Sequence, residues 1–163
     1  MTIALDWVSL VSDMAESGCA VRRNFIPSEL ISALRVDLEQ YRSGQNFVAG
    51  ALGRKRVVGK WLRSDEICWF DAAHPTPPQQ SYLQHIELFR MELNKQLQLG
   101  VFEFESHYTV YRPGSRYSRH VDQQRGSDAR VVSIIMYLNE FWCGLDGGAL
   151  RVYFPTRSLD ILP

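Results

Sequence analysis

Apolar residues recur at helical spacing in three stretches of the front half of the chain and alternate at strand spacing in the back half. Leu5, Val8, Val11 or Leu10, and Met14 fall on one helical face that runs into Gly18, a residue suited to ending a helix. Cys19-Ala20-Val21 reads as a short strand. Pro27 then opens a second helix with Leu30, Ile31, Leu34, Leu38 and Tyr41 on one side. Over 43–60, Gly44, Gly50, Gly53 and Gly59 stand among Arg54, Lys55 and Arg56, which predicts a loop or hairpin. The stretch 61–70 predicts two short strands around a polar turn, and the prolines of 74–78 break the chain. A third helix carries Leu83, Ile86, Phe89 or Arg90, Leu93 and Leu97, and stops at Gly100.

After Gly100 the pattern predicts strands over 101–111, 117–122, 130–138, 148–154 and 158–162, divided by Gly, Pro, Asn and Asp turns. There is no internal repeat and no low-complexity segment. A single domain over 1–163 is expected, with 1–100 supplying supporting helices, the first strands and a loop, and 101–163 supplying a β core.

Composition adds mainly exclusions. With 45% apolar residues the chain can bury a core of its own. Lys plus Arg balance Asp plus Glu at 18 each, without long runs of either sign, so the basic footprint of a nucleic-acid binder is missing. Cys19, Cys68 and Cys143 are widely spaced and form no C-x-x-C, which points to reduced, mostly buried thiols. The opening residues show neither the basic region nor the long apolar run of a signal peptide or membrane span, so a cytoplasmic address and no membrane partner are expected.

The sharpest chemical feature is His120-Val121-Asp122. On an extended strand, residues i and i+2 project from one face roughly 6.6 Å apart, so an imidazole and a carboxylate can converge on one metal. They are two of the three ligands in a two-histidine, one-carboxylate site, which leaves positions open for a chelating cosubstrate and O₂. Alternation along the preceding strand sets His107, Thr109 and Tyr111 on one face and Tyr108 and Val110 on the other.

Around that pair stand Tyr111-x-x-Gly114-x-x-Tyr117-x-x-His120-x-Asp122, then Tyr137-Leu138-Asn139, then Gly147-Gly148-Ala149-Leu150, and far upstream Arg63-Ser64-Asp65-Glu66-Ile67-Cys68-Trp69. In this order they resemble the prolyl hydroxylase group of iron(II)- and 2-oxoglutarate-dependent oxygenases, of the oxygen-sensing type and its bacterial relatives. The resemblance implies an α+β fold, a double-stranded β-helix (jelly-roll, cupin-like) core with N-terminal supporting helices, whose final core strands are missing here. It implies that His120 and Asp122 bind Fe(II), and that Tyr111, Tyr137 and Leu150 line the 2-oxoglutarate pocket beside His107. Tyr117 would lie near the metal, which needs a bend or bulge before His120; a core aromatic is the alternative. Arg130, Arg63, Asp65 and Trp69 match the side that grips substrate, with ordinary exposed charges the alternative for the arginines and Asp65, and core packing for Trp69. Trp61, Trp142, Phe102 and Phe104 read as core, and Gly147-Gly148 as a tight entry to a strand.

The implied cofactors are Fe(II), 2-oxoglutarate and O₂, with room for ascorbate as a reductant, and the implied partner is a protein or peptide containing proline. No histidine follows Asp122, whereas the family places its second histidine on a later strand and a cosubstrate-binding Arg or Lys after it. The expectation is therefore a truncated form or gene fragment, inactive as it stands, with an open sheet edge that limits solubility. Two other readings stay open: an oxygenase acting on a non-peptide substrate, and a catalytically dead peptide-binding module of the same fold.

Overall fold

In the computed structural model the described residues are 7–51, 61–123, 126 and 129–163; Leu5 and the glycines and basic residues of 52–60 lie outside them. The chain groups into two compact units interleaved in sequence, Met1–Glu39 with Phe70–Ser106, and Gln40–Trp69 with His107–Pro163.

The first unit is helical. Helix α1 (Trp7–Ser17) buries both Leu10 and Val11, and Gly18 ends it in the left-handed region at φ +72°, its N–H donating to Met14 O at 2.9 Å. Helix α2 (Ser28–Ser43) follows Pro27 and continues into the second unit. Helix α3 (Pro77–Leu97) opens on two prolines, whose missing N–H groups cost nothing in a first turn. Thr76, extended as a residue before proline must be, donates its N–H to Gln79 Oε1 at 3.4 Å. Gln98, not Gly100, provides the left-handed cap at φ +51°. Leu34, Ile86, Phe89 and Leu93 are almost completely buried, and Phe89 takes Trp7 and Phe25 edge-on at 6.1 and 5.2 Å between ring centres. Arg90, the other choice for that helical face, instead turns to Glu87.

The second unit holds the sheets. Strands β1 (Val48–Ala49), β2 (Glu66–Trp69) and β3 (His107–Val110) form an antiparallel sheet in that order, with Glu66 opposite Val110 and Trp69 opposite His107. Ile67, Cys68 and Tyr108 are its buried residues. Strands β4 (Leu150–Tyr153) and β5 (Ser158–Ile161) make a separate hairpin. Among the described residues no helix is long and apolar enough to cross a membrane.

Several expected strands are absent, each because a strand exists only where a ladder pairs it. Cys19-Ala20-Val21 is irregular, 61–70 contains the one strand β2, and 101–106 precedes β3 without joining it. The segment 117–122 forms no strand, and Tyr117 is bridged to Arg63 in the stretch just before β2. The run 130–138 has strand-forming residues, yet among the described residues 131–136 make no backbone hydrogen bond, and Val131, Ile134 and Ile135 are exposed. Trp61 and Phe102, read from sequence as core, are 83% and 87% exposed.

Candidate functional site

The site begins with one stretch of chain, 62–69, that runs beside two others. After β2 pairs with β3, Arg112-Pro113-Gly114-Ser115 folds into a turn closed by Ser115 N–H to Arg112 O at 2.8 Å. Proline at the second position and Gly114 at φ +80° at the third are what a type II turn demands. The chain then returns to the upstream partner: Ser64 N–H donates to Arg116 O at 2.9 Å and Ser118 N–H to Leu62 O at 2.7 Å. Tyr117 is thereby set beside Arg63, just ahead of His120. Outside the turn, Arg112 forks onto the Glu66 carboxylate at 2.9–3.1 Å.

His120 and Asp122 converge although their segment is not a strand. His120 Nε2 lies 3.0 Å from Asp122 Oδ1, and its Nδ1 sits 2.8 Å from the Ser118 carbonyl, to which it donates. With that proton committed to Nδ1, Nε2 meets the carboxylate either protonated, as an imidazolium, or with its lone pair open to a cation. The donor set fits a metal. Two ligands held about 2.1 Å from one ion at right angles are about 3.0 Å apart, and a ligand histidine ordinarily has its other nitrogen tied to a carbonyl. The second carboxylate oxygen, Asp122 Oδ2, accepts from the Ser133 hydroxyl. Among the described residues no group of three or more His, Cys, Asp or Glu side chains is placed to share an ion.

The expected bend before His120 is present. Tyr117 and His120, three residues apart, stack at 3.6 Å between ring centres and 11° between planes, which a regular strand forbids. The Arg63 guanidinium lies 4.6 Å from the centre of the same Tyr117 ring. Arg63 is also forked onto Asp65, Nε to Oδ1 at 2.7 Å and Nη2 to Oδ2 at 2.9 Å, with Nη1 donating to Ala51 O at 3.3 Å. The Asp65 side chain is fully buried and that of Arg63 is 12% exposed. Gly50 makes room for the pair: a Cβ there would stand 2.2 Å from Arg63 Nε.

Tyr111 interacts electrostatically with Arg63, Asp65, Tyr117 and Tyr137. Burial first, then the Asp65 carboxylate, push its phenol up to about 12, although part of the ring is open to solvent. His107 Nδ1 lies 2.9 Å from Thr109 Oγ1, placing both on one face of β3 as alternation requires. The Tyr137 hydroxyl lies 2.9 Å from Gly148 O and 3.2 Å from Ile161 O. Burial raises its pKa against a backbone hydrogen bond from Leu150. Trp69 meets His107 edge-on at 4.6 Å, and Arg130 is exposed with a left-handed backbone, φ +60°. The structure thus brings together Arg63, Asp65, Tyr111, Tyr117, His120 and Asp122, and joins Tyr137 to Leu150. A shallow apolar groove along α3, lined by Leu83, Leu88 and Phe104 among others, contains none of these residues.

Three contributors were not anticipated. Ser133 carried as its only sequence signal a hydroxyl inside an apolar run, Gly50 lay among several loop glycines, and the Ser118 carbonyl had no signal at all.

Residues 106–162 match the 2OG-Fe(II) oxygenase superfamily. The fold is similar to the crystal structure of a Pseudomonas putida prolyl-4-hydroxylase, with a TM-score of 0.86 and 31% identity over 95% of this chain and 80% of that one. The chain belongs to this oxygenase family. Within it the likeness is to prolyl hydroxylases: 26% identity to the hypoxia-inducible factor prolyl hydroxylase of Caenorhabditis elegans over the whole chain and 24% of the relative, and 25% to human Egl nine homolog 1 over 94% of the chain and 37% of the relative. The chain spans between about a quarter and two fifths of the length of these curated relatives. Members of the 2OG-Fe(II) oxygenase family use Fe(II), 2-oxoglutarate and O₂.

Proposed function

We propose that this chain carries the iron- and cosubstrate-binding core of a dioxygenase that hydroxylates a prolyl residue in a protein or peptide. The observation that supports it most is the 3.0 Å approach of His120 Nε2 to Asp122 Oδ1, with Nδ1 already committed to a carbonyl. When bound, iron(II) supplies the redox chemistry by which 2-oxoglutarate and O₂ become succinate and CO₂, with one oxygen atom entering the substrate C–H bond.

The residues of the chain bind and orient. His120 and Asp122 hold the metal, and Ser133 fixes the carboxylate so that Oδ1 faces the imidazole. Tyr111, protonated to about 12, remains a hydrogen-bond donor for a carboxylate of the cosubstrate throughout the physiological range. Tyr137 and Leu150 stand on the adjoining wall. Trp69 and Arg130 are the exposed groups through which a proline-containing peptide is engaged.

A second reading, a peptide-binding module without turnover, is favoured by the absence of a third metal-binding side chain among the described residues. The two are separated by measuring Mn(II) binding and succinate formation from 2-oxoglutarate with prolyl peptides, for this chain and for one given a C-terminal extension that supplies a histidine and an arginine. The enzyme reading expects His120-dependent metal binding and turnover in the extended chain. Failure of that chain to bind Mn(II) or consume 2-oxoglutarate would sink it.

A further inference from the structure

We infer that Arg63, Asp65 and Tyr117 are positioning residues for the His120 imidazole, and that Arg63 and Asp65 do their work beneath the surface and not against a peptide. The metal-binding half of this inference rests on the function proposed above; the geometric half does not.

A residue that grips a substrate must present free hydrogen-bonding capacity to solvent. Asp65 has none to offer, because its side chain is fully buried and Arg63 occupies both of its oxygens. Arg63 has little: three of its nitrogens are committed, two to Asp65 and one to Ala51 O, and its flat face lies over Tyr117. A planar, forked cation suits this dual use, since one edge can pair with a carboxylate while the face stacks on a ring.

The consequence passes to the histidine through Tyr117. An imidazole has two torsions to fix before its Nε2 points in one direction. The Ser118 carbonyl restrains the ring within its plane through Nδ1, and the Tyr117 ring, nearly parallel at 3.6 Å, restrains the plane itself. Stacking is favourable when the imidazole is electron-poor, as it is when protonated or metal-bound, because the tyrosine face is electron-rich. Tyr117 is in turn held by the Arg63 guanidinium and by the pairing of 62–64 with 116–118. Gly50, Asp65, Arg63, Tyr117 and His120 therefore form one contiguous support ending at the nitrogen that faces Asp122.

The test reads the imidazole directly. The ring protons of His120 are assigned by NMR in the metal-free chain, Mn(II) affinity is measured by calorimetry, and a prolyl peptide is titrated separately. Arg63→Lys preserves the charge that Asp65 needs but not the fork or the flat face. It is expected to move the His120 ring signals away from their stacked positions and to weaken Mn(II) binding about 10-fold. Tyr117→Leu is expected to do the same, whereas Tyr117→Phe keeps the stack and stays within about 2-fold of the parent. Thermal unfolding of each variant shows that it is folded. The inference is overturned if Arg63→Lys and Tyr117→Leu leave the ring signals and Mn(II) affinity in place, or if Arg63→Lys weakens only the peptide. Failure of the oxygenase reading has a different signature: the parent chain binds Mn(II) no better than His120→Ala while its His120 ring signals still report the stack.

Discussion

Gly50→Ala places a methyl group where the structure has no room for one. The added carbon would lie 2.2 Å from Arg63 Nε, 2.8 Å from its Cζ and 2.9 Å from Asp65 Oδ1. A long side chain could ordinarily swing aside, but this guanidinium is forked onto a buried carboxylate and stacked on Tyr117. Restoring an ordinary contact requires a shift of about 1 Å, enough to stretch bonds of 2.7 and 2.9 Å past the hydrogen-bond limit. Weakening a buried ion pair in this way costs about 2–4 kcal/mol, offset by up to about 1 kcal/mol from the reduced freedom of alanine in the unfolded chain. The net expectation is destabilisation of about 2 kcal/mol, or roughly 4–8 °C in melting temperature for a chain of this size. Urea unfolding of Gly50→Ala is compared with the same change made beside Arg63→Met and Asp65→Leu, where no ion pair remains to be disturbed. A loss below about 0.5 kcal/mol in the native background, or an equal loss in both, would refute the account of Gly50 as space for the pair.

Other expectations follow from single groups. His85 sits between Trp7 and Phe25 with Nε2 unpartnered, and burial lowers its pKa from 6.5 against a hydrogen bond to the Phe25 backbone. The folded state thus binds this proton less readily than the unfolded one, so stability is full above about pH 6.5 and falls as the pH drops below it. Melting temperatures from pH 8 to 5 should show that fall, and His85→Phe should flatten it. Tyr111, with its phenol pushed up to about 12, should ionise late in an ultraviolet titration, and Tyr111→Phe should remove that late step. Its stabilising effect is present below the ordinary phenol pKa of about 10 and is lost as pH rises toward 12. Tyr137→Phe removes a hydroxyl shared by Gly148 O and Ile161 O, and should cost about 0.5–1.5 kcal/mol in urea unfolding, with faster amide exchange in the β4–β5 hairpin.

The helices were legible because their information is local. Three-to-four periodicity, Pro27, and the paired prolines of α3 specify a helix with no reference to the rest of the chain. The convergence of His120 and Asp122 was legible for a related reason: the two need only two residues of separation to meet, and they do so even though the strand assumed for them does not form. The strands over 117–122 and 130–138 were overread, since β-branched composition states a preference and only a neighbouring backbone satisfies it. Arg63 and Asp65 stood two apart in the sequence, a spacing that already put them on one side of an extended segment. Their burial could not be read there, because it is set by Gly50 and Tyr117, which lie 13 residues before Arg63 and 54 after it in the chain.

The interleaving of the two units sets an order of events during synthesis. Strand β2 emerges from the ribosome well before its partners in β3 and 116–118, and at roughly 5–20 residues per second the wait is about 3–10 s. Throughout that interval β1 can cover one edge of β2, while the edge that will face β3 has no native neighbour. The His120 imidazole is made last of all in this series, so its approach to Asp122 and its stack on Tyr117 can form only after β2 and β3 are both available.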